Sequence, residues 1–425
     1  MDVVLDHADH YVLDTLYSHL PAIPIPDLVA GIASLPNITT MQAAIASSSF
    51  SIPDTASNFW LAASSSGTTL NSLAQDSILR QTLSLFILTL IGAHVMYFLF
   101  ASSSYYLVFD QNHTKHPKFL KNQVKLEIEM SLKALPGIAV MTTPWFLGEV
   151  RGYSKLYSHI HTADAMAAAA EATKVVFNPP ATVIQETMAA AISAGANVVA
   201  SNVTEEIVAQ GLLPEAVANV LGPLAPMVEF FMDGWGYVAL SIAAFLFFTD
   251  CGIYWVHRFL HHPLVYKRLH KPHHKWIIPT PYSSHAFHPV DGYLQSVPYH
   301  VFVFVFPMQK YIYLTMFVLV NFWSVLIHDG EVVVESSVIN SAAHHSVHHL
   351  YFNYNYGQYF TLWDRLGGSY RTPGAEQYDK SLRMNNKVWK KQAKEVDGFD
   401  EFGKPTDAIA EKFKTTGAPR KVVNA

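Results

Sequence analysis

Fourteen of the 22 histidines fall between His257 and His349, and their spacings repeat. One cluster holds His257, His261 and His262, and a second His270, His273 and His274. The last holds His344, His345, His348 and His349, and His285, His288 and His328 lie between the second and the last. Neutral imidazole is the commonest metal ligand and suits iron, zinc, copper and nickel alike. One ion takes about three or four protein ligands, so a set this dense asks for two ions close together. The histidines before residue 200 show no such spacing. His94 and His300 stand alone in apolar runs and read as structural.

If helix continues past residue 257, then Asp250, Tyr254, His257 and His261 share one face. His257 and His261 are then one turn apart, the spacing that grips one ion. Pro272 disfavours helix at Lys271, so a helix restarts near it and carries His273 and His274 in its first turn, with His270 folding back. His345, His348 and His349 repeat that pattern. Of the doublets, His261 and His345 complete the repeated spacing and are preferred over His262 and His344. His328 ends an apolar run that must return to the clusters, which makes it a further ligand candidate. Asn321 lies two turns earlier on the same face. An aspartate in an apolar span is costly and marks a functional site by default. Asp250 could accept a hydrogen bond from the outer nitrogen of a liganding histidine, or pair elsewhere in the bundle. His285 and His288 stay open between ligand, donor to a ligand and substrate contact. The residues that could support the ligands or meet substrate are thus Asp250, Tyr254, His285, His288, Asp291 and Asn321.

Composition says where such a site sits. Half the residues are hydrophobic and only 14% are charged, which points to a membrane protein. The net charge of −5 comes without a basic face, so nucleic acid is a poor partner. A single cysteine, Cys251, excludes an intrachain disulfide and a cysteine metal site. The acidic start, without an apolar core, does not read as a secretory signal.

Residues 83–101 form an uncharged run of transmembrane length. Residues 134–150 are a second apolar run, broken by Pro136 and Pro144. Residues 237–256 are a third span. Runs 294–306 and 311–327, parted at Pro307, read as a hairpin. The expected fold is all-α: a membrane helical bundle of about four spans or hairpin arms with a cytosolic histidine-rich helical cap. The expected organisation is an N-terminal lumenal arm (1–80), a first transmembrane hairpin (81–158), an alanine-rich lumenal insertion (159–232), a histidine-box catalytic domain (233–373) and a cytosolic tail (374–425). Five lysines between 111 and 133 and none before Arg80 put that loop in the cytosol and the N-terminus in the lumen. All clusters then meet on the cytosolic face. Of three sequons, Asn37 and Asn202 would be lumenal and open to glycosylation, and Asn112 would not.

No Ser-His-Asp elbow, phosphate-cradling glycine loop or paired Glu-x-x-His motif is present. An all-imidazole site for two metals at a membrane suits oxygen activation on an apolar substrate. The ligand list alone does not separate iron from zinc.

The boxes HX3H, HX2HH and HX2HH resemble those of the fatty acid hydroxylase and sterol desaturase superfamily of membrane di-iron enzymes. YWVHRFLHHPLVYKRLHKPHHKW (254–276), SSHAFHPVDGYLQSVPYH (283–300), NFWSVLIHDG (321–330) and HSVHHLYFNYNYGQYFTLWDRLGGSYRTP (345–373) are similar to the fungal sterol C-5 desaturases, also called Δ7-sterol 5(6)-desaturases or lathosterol oxidases. The resemblance is dense over 230–373, extends over 80–158, and does not cover the alanine-rich insertion.

The resemblance implies an endoplasmic reticulum enzyme that forms the C5–C6 double bond of a Δ7-sterol in ergosterol biosynthesis. It implies two non-haem iron ions, O2 as co-substrate, and electrons from NAD(P)H through cytochrome b5 and its reductase. It places His257, His261, His270, His273, His274, His345, His348 and His349 at the iron-binding positions of the boxes, with His328 matching a further shared histidine. The implied partners are membrane lipid, the sterol and other sterol-pathway enzymes. Sterol C-4 methyl oxidation and fatty acid 2-hydroxylation are sibling readings. A membrane metal-binding or transport protein is a reading from another class, disfavoured because the histidines crowd at one membrane face.

Overall fold

The computed structural model describes residues 1–24, 69–158, 160 and 234–398. Asn37, Asn202, most of the N-terminal arm, all of the alanine-rich insertion but residue 160, and the tail past 398 lie outside the described residues. Contacts divide the chain into two units, Met1–Ala93 with Ala139–Gly152, and His94–Ile138 with Tyr153 onward. Two of the three boundaries fall inside helices.

In the first unit, α1 (Asp2–Ala8), a π-helical turn (Asp9–Leu13) and α2 (Asp14–Ser18) form one helical segment. The first half of α3 (Ile78–Leu107) and the second half of α4 (Gln123–Val150) complete the unit. Arg80, the first basic residue of the chain, donates to Asp9 (2.7 Å) and to Asp14. Its guanidinium also lies 4.5 Å from the Tyr17 ring centre. The acidic start is thus tied to the head of an otherwise uncharged helix. Pro136 and Pro144 do not break α4, which is helical throughout. Each proline removes one N–H bond and crowds the carbonyl four residues back, and the remaining turns hold the helix.

The second unit continues with α5 (Trp235–Leu260) and α6 (Pro263–Leu269), then two 3₁₀ turns, His273–Lys275 and Pro281–His285. α7 (Pro289–Val305) and α8 (Lys310–His328) follow, separated by a break at Phe306–Pro307. There β2 (Met308–Gln309) pairs in parallel with β1 (Leu156–Tyr157), Leu156 opposite Met308. α9 (Ala342–Tyr351), α10 (Leu362–Leu366), α11 (Ala375–Tyr378), α12 (Lys380–Arg383) and α13 (Asn386–Asp397) close the described chain. Among the described residues α3, α5 and α8 are long and apolar enough to cross a membrane. α7, with 17 residues, falls short of the ~20 a span requires.

The core joins Phe245 and Ile253 of α5, Tyr299, Phe302 and Val303 of α7, and Tyr313, Met316 and Val320 of α8. α5 and α7 approach closely because Gly252 lacks a side chain: a Cβ there would lie 2.7 Å from the Pro298 ring. In a close-packed interior that space has no slack.

The charged C-terminal stretch is folded as far as 397. Arg383 pairs with Glu331 (2.7 Å), Tyr351 donates to Glu395 (2.7 Å), and Lys118 pairs with Asp397. Beneath these contacts lie His113 and His116, both pushed down to about 4, chiefly by burial. An unfolded chain protonates its imidazoles near pH 6.5. The folded state therefore binds fewer protons, and stability falls as pH drops from about 6.5 toward 4. Denaturation midpoints in detergent are expected to fall between pH 7.5 and 5, and His113→Gln to flatten that slope. An unchanged slope in the variant would contradict the assignment.

Candidate metal centre

α5 presents His257 and His261 one turn apart near its C-terminal end. His270 closes α6, and the turn through Pro272 carries His273 and His274. α8 ends at His328, and α9 carries His345, His348 and His349. These elements bring nine imidazoles into two groups. His257, His261, His270, His274 and His348 form one, and His273, His328, His345 and His349 the other. Within each group one ring nitrogen per residue lies within 4.8 Å of all the others. Eight of the nine residues are buried and His261 is partly so.

Of the doublets, His261 and His345 enter the groups. His262 instead caps α6, its Nδ1 facing the Leu264 N–H (3.4 Å), and His344 caps α9 through Ser341. Each HX2HH box also splits. Its first and fifth residues enter one group and its fourth enters the other, which spacing alone leaves undetermined.

The inner nitrogens are all Nε2. His257 lies 3.1 Å from His270, His274 lies 3.1 Å from both His261 and His348, and His345 lies 2.9 Å from His328 and 3.0 Å from His349. His328 and His273 are 3.5 Å apart. Metal–nitrogen bonds of about 2.1 Å put neighbouring ligand atoms about 3.0 Å apart in an octahedral shell and about 3.4 Å in a tetrahedral one. The observed edges span that range.

The outer nitrogens settle where the protons lie. His257 Nδ1 donates to the Tyr356 carbonyl (3.0 Å), His348 Nδ1 to the Tyr354 carbonyl (2.7 Å) and His328 Nδ1 to the Ser324 carbonyl (2.6 Å). His270 Nδ1 donates to the Asp291 carboxylate (2.7 Å). Carbonyl and carboxylate oxygens only accept, so these rings carry their proton on Nδ1. The Nε2 lone pairs of His257 and His270 then face each other with no proton to share. Protonation brings no relief. His261, His273, His274, His345, His348 and His349 are all held well below the ordinary imidazole range, first by burial and then by their neighbours. A pair of cations fits this donor set.

Other expected residues fall around the groups. Asp291 supplies the carboxylate–histidine contact considered for Asp250. Asp250 instead accepts backbone N–H groups of Gln358 (3.0 Å) and Tyr359 (2.6 Å). Its helical position places it beside an irregular segment, not beside an imidazole. Tyr254 receives a hydrogen bond from Arg258 (2.6 Å) and lies 3.1 Å from Ser369 Oγ. His285 faces Asn321 (3.3 Å), and burial pushes its ring down to about 4. His288 caps α7 through the Val290 N–H (3.2 Å). Neither His285 nor His288 enters a group. Tyr356 borders the rings of His257, His261 and His348, while Phe352 borders His274 and Phe287 borders His273. Asp364 was not singled out from sequence, because nothing in Trp-Asp-Arg-Leu distinguishes it from a surface acid. It is wholly buried and accepts the N–H groups of Tyr356 and Gly357 (2.8 Å each).

Comparison with known proteins places the chain among relatives. The fatty acid hydroxylase family model matches residues 242–369. A probable Delta(7)-sterol 5(6)-desaturase of Neurospora crassa is 42% identical, covering 97% of this chain and 100% of its own. The Delta(7)-sterol 5(6)-desaturase of Saccharomyces cerevisiae is 37% identical, covering 98% and 99%. The lathosterol oxidase of Mus musculus is 44% identical, covering 71% and 79%. No solved structure matches the chain.

The doublets give a direct check. His261→Ala is expected to lower the metal content of purified protein, and His262→Ala to leave it at the wild-type level. Equal losses from both variants, by elemental analysis, would contradict the grouping.

Proposed function

Because the chain belongs to the Delta(7)-sterol 5(6)-desaturase family, we propose that it forms the C5–C6 double bond of a Δ7-sterol of the episterol type in ergosterol biosynthesis. The observation that carries this reading is the pair of all-imidazole groups gathered at the ends of two apolar, membrane-length helices, α5 and α8. Each group would hold one non-haem iron ion, for which neutral nitrogen donors are suited. The bound metal supplies the activation of O2. Overall, the sterol gives up one hydrogen each from C5 and C6. A reduced nicotinamide gives two electrons through cytochrome b5 and its reductase, two protons are taken up, and O2 leaves as two waters.

The chain's own residues prepare this chemistry. Asp291 and the carbonyls of Tyr354, Tyr356 and Ser324 keep protons on the outer nitrogens, so the inner ones stay free to bind. Burial keeps the rings of His261, His273, His274, His345, His348 and His349 neutral and keeps bulk water from the groups. Phe287, Phe352 and Tyr356 give the groups an apolar border suited to a sterol. Desaturation, as opposed to hydroxylation, depends on holding the neighbouring C–H close to the oxidant, where small displacements decide the outcome.

The reading includes a multi-pass protein of the endoplasmic reticulum membrane, with about four crossing elements and the histidine cap on the cytosolic side. The five lysines at 115–133 support a cytosolic loop there, and the absence of basic residues before Arg80 supports a lumenal N-terminus.

Expression in a fungal strain lacking sterol C-5 desaturation is expected to restore Δ5,7-sterols. His348→Ala is expected to abolish that rescue, and Asp291→Asn to lower turnover roughly 10–100-fold. A wild-type chain that is expressed but clears only 4-methyl sterols, leaving Δ7-sterols in place, would replace this function with C-4 methyl oxidation.

A further inference from the structure

Between α9 and α10 an irregular segment, Tyr354–Phe360, supplies the carbonyls that hold His348 and His257. Five consecutive amides of this segment end on two buried aspartates. Tyr356 N–H meets Asp364 Oδ1 and Gly357 N–H meets Asp364 Oδ2, both at 2.8 Å. The N–H groups of Gln358, Tyr359 and Phe360 meet Asp250 Oδ1 at 3.0, 2.6 and 3.4 Å.

Peptide planarity gives this arrangement its force. The Tyr356 carbonyl and the Gly357 N–H belong to one trans peptide unit and point in opposite directions. By gripping the Gly357 N–H, Asp364 aims the Tyr356 carbonyl at His257 Nδ1. The Tyr354 carbonyl shares its peptide unit with the Asn355 N–H, which donates to the Ser369 carbonyl (3.0 Å). Ser369 is itself tied to Asp364, through its N–H to the Asp364 carbonyl and its Oγ to Oδ1, both 2.8 Å. Both peptide planes that orient histidines of the five-membered group thus trace to one residue. On the four-histidine side, His328 is held instead by Ser324 of its own helix.

We infer that Asp364 is the positioning residue of the five-histidine group, fixing His257 and His348 through the planes of two peptide units, with Asp250 steadying the rest of the segment. This rests on the reading of the groups as metal sites. The two aspartates differ in a way that makes the inference sharp. Both carboxylate oxygens of Asp364 are acceptors, so an amide there must set an N–H₂ against an N–H. Asp250 uses Oδ1 alone, and its Oδ2 has no hydrogen-bond partner among the described residues, so an amide can keep every bond the segment needs.

The test is metal retention by purified full-length protein in detergent, titrated with a chelator. Asp364→Asn is expected to weaken one of the two ions about 10–100-fold and leave the other unchanged. Asp250→Asn is expected to retain both. Loss of both ions together from Asp364→Asn, retention of both, or equal effects of the two variants would overturn the inference. Hydrogen exchange on the wild type provides a second measurement should Asp364→Asn not fold. The amides of 355–360 are expected to exchange as slowly as the interior of α8, and rapid exchange there overturns the inference independently. A wild type that binds no metal would instead remove the functional reading beneath it.

Discussion

Nine imidazoles turn their Nε2 atoms inward across gaps of about 3 Å, and at His257, His270, His328 and His348 the outer acceptors have already claimed the protons. A pair of cations would balance such an interior. Most of the second unit follows from this constraint. On a helix, neighbouring residues point about 100° apart, so His348 and His349 of α9 face different groups while His345 returns to the side of His349. The turn at Pro272 does the same with His273 and His274. Each doublet bridges the two groups through a single peptide link, with ring centres 5.8 and 5.7 Å apart. The boxes therefore set the separation of the groups as well as their membership.

What the sequence made legible was the part of this written in spacing. The i, i+4 pair of α5, the preference for His261 and His345, and the return of His328 at the end of an apolar run are properties of one element at a time, and periodicity carries them. The assignment of each histidine to a group is a property of how three elements face one another, and no single stretch encodes it. The outer partners were harder still. Three of the four acceptors on Nδ1 are backbone carbonyls, which any residue supplies. Asp364 left no trace because its function lies in the amides that turn toward it.

Packing decides two points that local sequence leaves open or misreads. Pro136 and Pro144 read as breaks, and α4 runs through both. The charged tail expected from 374 carried no expected element, and part of it folds. α4 keeps its helix because a proline costs one hydrogen bond against many retained turns. Residues 375–397 fold because their charges find fixed partners at Glu331, Tyr351 and Lys118.

Asp250 shows how the apolar surroundings shape the rest. A carboxylate on a helix apolar enough to cross a membrane is expensive, and the reason to keep one lies outside the histidine groups. Non-helical backbone at such depth is tolerated only where its polar groups are satisfied by protein. The 354–360 segment has to be non-helical, since a helix would turn the carbonyls of Tyr354 and Tyr356 along its own axis and away from the imidazoles. Once those carbonyls are spent on histidines, the neighbouring amides need acceptors of their own. Asp250 takes three and Asp364 takes two. The buried acids are thus a consequence of holding histidines by backbone carbonyls in an apolar environment. A span carrying leucine at position 250 would leave those three amides without acceptors at a cost of ~1–3 kcal/mol for each, more than the apolar side chain could return.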